Sequence, residues 1–202
     1  MFDLSRFTID MTPRPEHPDA MLFLLIRDPP VPVAVLTDEE FPPEDCDRHG
    51  FWARLLLGRT NPETVTRSVL RRRGDGAPAI MLRYFPPVFQ EAMRIYGPDG
   101  ALVGRAVGYF KTTLRAGFQL EDAERRPFGT LPFAAGNTPR RTLLAPGGRE
   151  MGTISIAESE AESQAPPERY FVEGAPGPGP FERFMLLAAA ITLALADRRH
   201  RR

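Results

Sequence analysis

The feature that most constrains this chain is a stretch near its C-terminus, FMLLAAAITLALA at residues 184–196, which is apolar around its whole circumference. A helix without a polar face has to be enclosed by protein or by lipid. The stretch spans only ~20 Å at ~1.5 Å per residue, whereas a bilayer core is ~30 Å thick and requires about 20 residues. We therefore predict a helix buried inside the domain. Its expected core residues are Phe184, Leu186, Leu187, Ile191 and Leu193.

The alternative for this helix is a tail anchor or a helix that lies in the membrane. The basic tail at residues 198–202 would stay cytoplasmic by the positive-inside rule, and it would leave the main domain outside the cell. The N-terminus carries Asp3, Asp10 and Glu16 where an export signal needs basic residues. The pattern favours a cytoplasmic protein, with membrane association as the alternative.

Length, charge and cysteine content set the broad class. A chain of 202 residues is long enough to bury one core, and we expect a single domain over residues 1–202. It has 26 basic and 26 acidic residues, so no overall field attracts it to nucleic acid or to an anionic bilayer. Cys46 is the only cysteine, which excludes an internal disulfide and CxxC-type zinc sites. We expect no metal and no cofactor.

The N-terminal part combines strands with two short helices. Apolar runs separated by Pro and Asp predict strands within residues 7–36. Helical spacing of apolar residues predicts a helix over 44–59, and an Asn-Pro-Glu cap predicts a second helix over 63–72. A strand is expected at 79–85, and the glycines before it mark a candidate boundary near residue 75.

From residue 90 onward the sequence repeats itself, and a fixed internal period identifies an architecture better than local propensity does. In three segments an apolar residue stands nine positions before a glycine, with turn-forming residues between them. Each segment predicts a β-hairpin whose glycine marks a bulge or a close backbone approach. Three such units with diverging loops favour a meandering sheet over a solenoid. The segments run from Ile95 to Gly104, from Leu120 to Gly129 and from Leu143 to Gly152.

The C-terminal part continues with a loop, a strand and a connector. Residues 158–168 are acidic and polar, which is typical of an exposed loop, and Tyr170–Val172 predicts one more strand. A stiff connector at 174–181 follows. Pro180 fits the first turn of the terminal helix, where Glu182 favours the positive end of the helix dipole.

Four segments carry a resemblance to a known family: IYGPDGALVGRA (95–106), FQLEDAERRPFGTL (118–131), TLLAPGGREMGTIS (142–155) and PFERFMLLAAAITLALADRR (180–199). Hairpins with this D/P-G-x-x-x-G signature, followed by a Gly/Pro-rich connector and a terminal apolar helix, resemble the Tubby C-terminal-like superfamily. Within it the chain is most similar to the phospholipid scramblase and LURP-one-related branch, over about residues 78–199. The resemblance implies a closed antiparallel β-barrel wrapped around the C-terminal helix, mainly β with some α.

The resemblance also implies possible activities. Scramblases are associated with lipid movement and calcium, Tubby domains bind phosphoinositides through basic residues, and LURP-one-related proteins have poorly defined roles. This chain lacks the acidic calcium segment before the last helix, since EGAPGPGPFER offers only Glu173 and Glu182 there. It also lacks the cysteine cluster used for lipidation. The fold is therefore implied more strongly than any activity.

One cysteine and one histidine form the only candidate for catalysis. Cys46 and His49 are three residues apart, so a thiol and an imidazole would approach each other on a helix. The alternative is a solvated helix start with a lone cysteine, because no further basic or oxyanion-stabilising element accompanies the pair. No GxxxxGK[ST], GxGxxG, GxSxG or HExxH motif occurs in the chain. We expect a protein without enzyme activity.

Clusters of arginine provide the candidate binding residues, because guanidinium groups bind phosphate in a bidentate manner. Clusters that converge would hold a phosphate or an anionic lipid headgroup, and clusters that stay apart would be solvated surface. The pairs at 125–126 and 140–141 are preferred, since hairpin tips and adjacent loops can face one side of a barrel. The candidate residues are Arg71, Arg72, Arg73, Arg125, Arg126, Arg140 and Arg141.

These patterns together lead to one main functional hypothesis. It is a non-enzymatic, scramblase-like or LURP-one-like barrel that binds an anionic phospholipid headgroup or a protein partner, and no nucleic acid. The second hypothesis is a tail-anchored or peripheral membrane protein that moves phospholipid through its C-terminal helix. The third is an enzyme that uses Cys46 and His49.

Overall fold

A computed structural model describes residues 5–26, 31–39, 66–84, 91–111, 114–132, 140–156, 169–177 and 179–199. These residues form twelve β-strands and one α-helix. The strands are β1 (Arg6–Asp10), β2 (Ala20–Ile26), β3 (Val31–Glu39), β4 (Thr66–Arg72), β5 (Pro78–Tyr84), β6 (Glu91–Tyr96), β7 (Leu102–Lys111), β8 (Leu114–Asp122), β9 (Pro127–Pro132), β10 (Arg140–Leu144), β11 (Glu150–Ile156) and β12 (Arg169–Gly174), and the helix is α1 (Pro180–Arg199).

The strands follow one another around a closed antiparallel barrel in chain order. The barrel closes where β1 pairs with β12, with Arg6 opposite Glu173 and Asp10 opposite Arg169. Closure leaves no open sheet edge for another chain to pair with. The predicted barrel around a C-terminal helix is confirmed. The strands expected within 7–36, at 79–85 and at Tyr170–Val172 correspond to β1 to β3, β5 and β12.

The helix predicted over 63–72 is wrong for its described part, because residues 66–72 form strand β4. β4 is hydrogen-bonded to β3 on one side and to β5 on the other. A short isolated helix is only marginally stable, so the hydrogen bonds of β4 to its two neighbouring strands outweigh the local helix preference of these residues. The turn after β4 joins two paired strands of one barrel, so no boundary separates β4 from β5 near residue 75. The helix expected over 44–59 and the loop expected over 158–168 lie outside the described residues.

The three sequence repeats form the hairpins β6–β7, β8–β9 and β10–β11, as predicted. In each hairpin the apolar residue and the glycine nine positions later are direct cross-strand partners. The nine-residue spacing is therefore the pairing register of each hairpin. The pairs are Ile95 with Gly104, Leu120 with Gly129 and Leu143 with Gly152.

The repeat glycines lie where backbone and helix approach closely. A Cβ atom on Gly104 would lie 2.5 Å from the carbonyl oxygen of Glu121 and 3.0 Å from the Met185 methyl group of α1. A Cβ atom on Gly152 would lie 2.7 Å from the Leu186 side chain. These positions require glycine because a side chain would collide with the neighbouring strand and with the helix.

The helix fills the lumen of the barrel. Eight strands leave an interior that inward side chains can fill, and the diameter grows with strand number, so a twelve-stranded barrel needs additional contents. Leu186, Leu187, Ile191 and Leu193 are at most 2% exposed, and Phe184 is partly buried against the same core. The predicted core helix is confirmed. In the part of the chain that the structure describes, no helix has the length and apolar character needed to cross a bilayer.

The start of α1 has Pro180 and Glu182 in its first turn as the sequence predicts, and Glu182 also caps the helix. Pro180 is its first residue, and Glu182 accepts a hydrogen bond of 3.0 Å from the backbone N–H of Gly179. Glu182 also accepts a hydrogen bond from Arg149, and this bond lowers the pKa of the Glu182 carboxyl group. The cap joins the helix to the turn between β10 and β11.

The two ends of the barrel differ in their connections. One end, called here the turn end, carries the short turns at 73–77, 97–101, 123–126 and 145–149 together with the connector into α1. The opposite end, called here the loop end, carries the longer connections after β1, β3, β5, β9 and β11. The helix enters the barrel from the turn end.

Replacement of a repeat glycine should destabilise the barrel. We expect Gly104→Ala to lower the free energy of unfolding by about 1–3 kcal/mol, because the added Cβ overpacks a site bounded by backbone and by Met185. Urea unfolding followed by circular dichroism measures the change. Gly179→Ala is the control, since a Cβ there meets nothing within 4 Å. Equal stability of the two variants would contradict the close approach.

A charge inside the lumen should unfold the protein. We expect Leu187→Asp or Leu193→Asp to abolish the cooperative thermal transition, because an unpaired carboxylate would be buried where both side chains are at most 2% exposed. Val31→Asp is the control, since Val31 is 48% exposed. A folded Leu187→Asp domain would instead support a helix that leaves the barrel.

Candidate functional site

The candidate site is a pocket of about 350 Å³ on the outer wall of strands β2 to β4. Its floor is formed by Phe23 and Val35, which lie opposite each other in the register. Both point away from the lumen, because their strand neighbours belong to the core and successive side chains alternate between faces. The same outward row continues to Arg71 on one side and to Asp10 on the other.

The segment between β1 and β2 covers one side of this floor. Arg14 and His17 form an isolated β-bridge within it. The Arg14 guanidinium lies 4.2 Å from the centroid of the Phe23 ring, a cation–π distance, and the His17 ring lies 5.7 Å from the same centroid. The cover explains why outward-pointing Phe23 is buried.

Four arginines line the pocket, and three of them are held by carboxylates. Each of these ion pairs fixes a guanidinium at the pocket wall. They join Arg14 to Asp10 at 3.1 Å, Arg71 to Glu39 at 2.5 Å and Arg72 to Asp75 at 2.7 Å.

The fourth arginine, Arg73, is held by its backbone. Its N–H donates a hydrogen bond of 2.8 Å to the carbonyl of Val33, and its side chain is exposed. Among the residues that the structure describes, none forms an ion pair with Arg73. Glu16 is the only acidic residue within the described lining of the pocket. The lining therefore presents four guanidinium groups above an apolar floor, three of them in ion pairs and the exposed Arg73 in none with a described residue.

Asp10 lies beside Phe23 in the outward row and binds Arg14 of the pocket. Its side chain is 3% exposed, and burial by itself would raise the pKa of the carboxyl group. Hydrogen bonds from Thr12 and from Arg14, with the nearby charge of Arg169, outweigh burial and hold the pKa of Asp10 below its ordinary value. Asp10 is thus a buried carboxylate that holds Arg14 over Phe23.

The structure brings Arg71, Arg72 and Arg73 to this pocket, but not the preferred pairs. Arg125 and Arg126 lie in the β8–β9 turn, where Arg126 binds Asp122 at 2.6 Å and Glu124 at 2.9 Å. The hydrogen bond to Asp122 raises the pKa of Arg126. Arg125 is exposed and has a φ of 66°.

The other preferred pair, Arg140 and Arg141, begins β10, which is six strands from β4 in the barrel order and so on the opposite side. Arg140 lies 4.0 Å from Glu150. The candidate residues therefore lie on separate faces of the barrel. Cys46 and His49, the candidate catalytic pair, lie outside the described residues, as do residues 200–202.

Two pocket residues, Arg14 and His17, were missed by the sequence analysis. They stand in a Pro-rich segment, PRPEHP, whose composition indicates only a turn. The one signal in the sequence was the spacing of Arg14 and His17, which stand three residues apart between two strands. This spacing indicates a site only once β4, with its arginines, is known to lie beside β3.

A second cavity of about 380 Å³ lies on the outer wall near the closing pair of strands. Its charged lining residues, Arg6 and Glu173, form an ion pair with each other. The lining therefore has no net charge to recognise an ion. No group of three metal-ligating side chains occurs among the described residues.

Comparisons of the chain with protein families, with curated proteins and with solved structures found no match.

Replacement of Asp10 should destabilise the protein in a pH-dependent way. Because the folded-state pKa of Asp10 is lowered, its stabilisation is present above the ordinary value of about 3.9 and is lost as pH falls through the folded-state pKa. We expect Asp10→Asn to lower the free energy of unfolding by about 1–3 kcal/mol at pH 7. Urea titrations at pH 7 and near pH 3 should show a smaller difference at the acidic pH.

The control for this prediction is Asp99→Asn. Asp99 is exposed and accepts a hydrogen bond from Ala101 within a turn, which asparagine can also do. A pH-independent loss in Asp10→Asn would show that packing, and not the carboxylate, supports the site.

Proposed function

We propose that the protein is a non-enzymatic binding module that holds the phosphate of an anionic phospholipid headgroup in the pocket of β2 to β4. The observation that carries the proposal is the convergence of Arg14, Arg71, Arg72 and Arg73 on one pocket of about 350 Å³. A phosphate monoester or diester offers several oxygens to guanidinium groups in a bidentate manner.

The pocket has the features that such a ligand requires. Arg71 and Arg72 are oriented in advance by Glu39 and Asp75, which reduces the entropy lost on binding. Arg73 offers an exposed guanidinium for the phosphate. The floor offers the half-buried side chain of Val35 to the glycerol or acyl-proximal part of a lipid, an apolar contact that a free phosphate ion would not use.

The resemblance to the phospholipid scramblase and LURP-one-related branch supports the same proposal. That resemblance implies a lipid-associated barrel, and the chain forms a barrel closed around a helix. The hypothesis of scrambling through α1 gains no support, because residues 185–196 are at most 2% exposed. No described residue favours an enzyme that uses Cys46 and His49.

A vesicle assay tests the proposal. Wild-type protein should sediment with phosphatidylcholine vesicles that contain phosphatidic acid or phosphatidylserine, and much less with phosphatidylcholine alone. Arg72→Gln/Arg73→Gln should weaken binding at least about tenfold, because it removes two of the four pocket cations. Raised salt should weaken wild-type binding as well.

Two comparisons sharpen the assay. Arg125→Gln/Arg126→Gln removes the same charge from the β8–β9 turn and should leave vesicle binding near the wild-type value. Inositol phosphate or glycerol phosphate in solution, followed by calorimetry, distinguishes a free phosphate ligand from a lipid surface. Equal binding by the two double variants would refute the assignment to this pocket.

A further inference from the structure

The second cavity on the outer wall, of about 380 Å³, lies where the barrel closes between β1 and β12. Two rows of cross-strand partners on β1, β12 and β11 line it. All of these side chains point away from the lumen, because each has a neighbour on its own strand that belongs to the core. The cavity is called here the seam pocket, and its rows are Thr8, Phe171 and Ser155, and Arg6, Glu173 and Thr153.

Phe171 presents an apolar surface in the middle of the first row. It is 49% exposed, and its two row partners, Thr8 and Ser155, have much shorter side chains. Among the residues that the structure describes, no aromatic ring or cation stacks on Phe171. By contrast, the exposed ring of Phe181 packs edge-on against Phe128, with 5.1 Å between the ring centroids. The Phe171 ring is therefore accessible to a ligand in the seam pocket.

Thr153 carries a buried hydroxyl group that has no hydrogen-bond partner within the described part of the chain. Its residue is 4% exposed. The other two buried hydroxyl side chains that the structure describes are paired: Ser68 donates to Asp38 at 2.6 Å, and Thr192 donates to the carbonyl of Ala188 at 2.7 Å. Burial of an unpaired hydroxyl group is unfavourable, so buried polar groups are nearly always hydrogen-bonded. Thr153 therefore offers an unused donor and acceptor to a ligand in the seam pocket.

The second row also contains a donor and an acceptor of opposite charge. Nε of Arg6 donates a hydrogen bond of 2.8 Å to the carboxylate of Glu173, and both side chains are exposed. A guanidinium group offers only donors and a carboxylate only acceptors, so together they suit a ligand group that does both. Their charges cancel. The hydroxyl groups of Thr8 and Ser155, which form no hydrogen bond with any described residue, complete the polar lining.

We propose that the seam pocket binds a neutral sugar ring, a hexopyranose with free hydroxyl groups. Each sugar hydroxyl both donates and accepts hydrogen bonds, which matches the three hydroxyl groups and the ion pair of the lining. The C–H groups on a face of the ring carry partial positive charge, and they pack favourably on the negative face of a phenyl ring such as that of Phe171. The cavity volume lies within the range of small-molecule sites, roughly 300–1,000 Å³.

Other classes of ligand use these groups less completely. An acyl chain or an apolar side chain of a protein would cover Phe171 but leave the hydroxyl group of Thr153 unpaired. A nucleobase would also stack on Phe171, but its ring atoms are fixed donors or acceptors, and a nucleotide adds a phosphate for which the described lining has no net positive charge. A ring that carries hydroxyl groups around an apolar face uses the aromatic ring, the hydroxyl groups and the ion pair together.

The sugar site goes beyond the proposed function, because the seam pocket and the phosphate pocket share no described lining residue. Variants separate the two sites. Arg72→Gln/Arg73→Gln should bind sugar as the wild-type protein does, whatever its effect on vesicle binding. Loss of sugar binding in that variant would overturn the assignment to the seam pocket.

The experiment follows amide NMR shifts of wild-type protein during titration with methyl β-glucopyranoside, methyl β-galactopyranoside and methyl α-mannopyranoside. For so small a ligand we expect a dissociation constant of about 1 mM for at least one sugar, with shifts on β1, β11 and β12. No shift with any of them up to about 20 mM, or shifts confined to other strands, would overturn the proposal. Adenosine is the competing probe, and adenosine that binds as tightly as every sugar would overturn it in favour of a base.

Replacement of Phe171 tests the stacking surface. Phe171→Ala should weaken sugar binding at least about tenfold, whereas Phe181→Ala removes a ring that is 43% exposed at the start of α1 and should leave binding unchanged. Phe171→Leu keeps an apolar side chain without an aromatic face and should weaken binding as well. Unchanged affinity in either Phe171 variant would overturn the stacked sugar.

Replacement of Thr153 tests the buried hydroxyl group. Thr153→Val keeps the shape of the side chain, and it should weaken sugar binding about fivefold without lowering the melting temperature, since no described partner is lost. The control is Thr130→Val, at a half-buried threonine on β9, which should leave sugar binding unchanged. Unchanged sugar affinity in Thr153→Val, with or without a loss of stability, would assign Thr153 to the fold and overturn its role in the site.

Discussion

The whole structure depends on filling the interior of a wide barrel. Twelve strands enclose more space than their inward side chains can occupy, and an empty lumen would forfeit dispersion contacts along every strand. Helix α1 supplies the missing volume, and its alanines at 188–190 are fully buried. Within the buried stretch 185–196 the polar side chain is that of Thr192, which donates a hydrogen bond of 2.7 Å to the carbonyl of Ala188. The helix and the barrel therefore stabilise each other, and neither buries its apolar face alone.

The same requirement explains the repeat glycines. The second strand of a hairpin must approach both its neighbour and the helix, and at Gly104 and Gly152 the distances leave no room for a Cβ. Sequence, register and packing thus express one constraint. The turn places the two partners of each pair nine residues apart, and at Gly104 and Gly152 the nearby helix excludes a side chain from the second partner. Because the outer wall is not under this constraint, it is free to carry charge.

On the outer wall, arginines of the pocket and of its neighbourhood meet at β4. Arg67 and Arg71 both lie near the carboxylate of Glu39, at 3.8 Å and 2.5 Å. Glu39 therefore holds one cation of the pocket, Arg71, and one cation beside the pocket, Arg67. A barrel whose interior is occupied by its own helix has only its wall and its ends for ligands.

The apolar run at 184–196 and the nine-residue spacings determined by themselves that a helix lies inside a meandering sheet, because burial and turn length are local properties of the chain. The strand at 66–72 and the pocket at Arg71, Arg72 and Arg73 were decided only by the tertiary structure. Strand pairing overrode local helix preference there, and the pairing of β2 with β3 and of β3 with β4 brought Arg14 beside residues almost sixty positions away. Register likewise makes cross-strand neighbours of Arg67, Arg83, Arg94 and Arg105, which are spaced unevenly along the sequence and meet only through hydrogen bonds between strands.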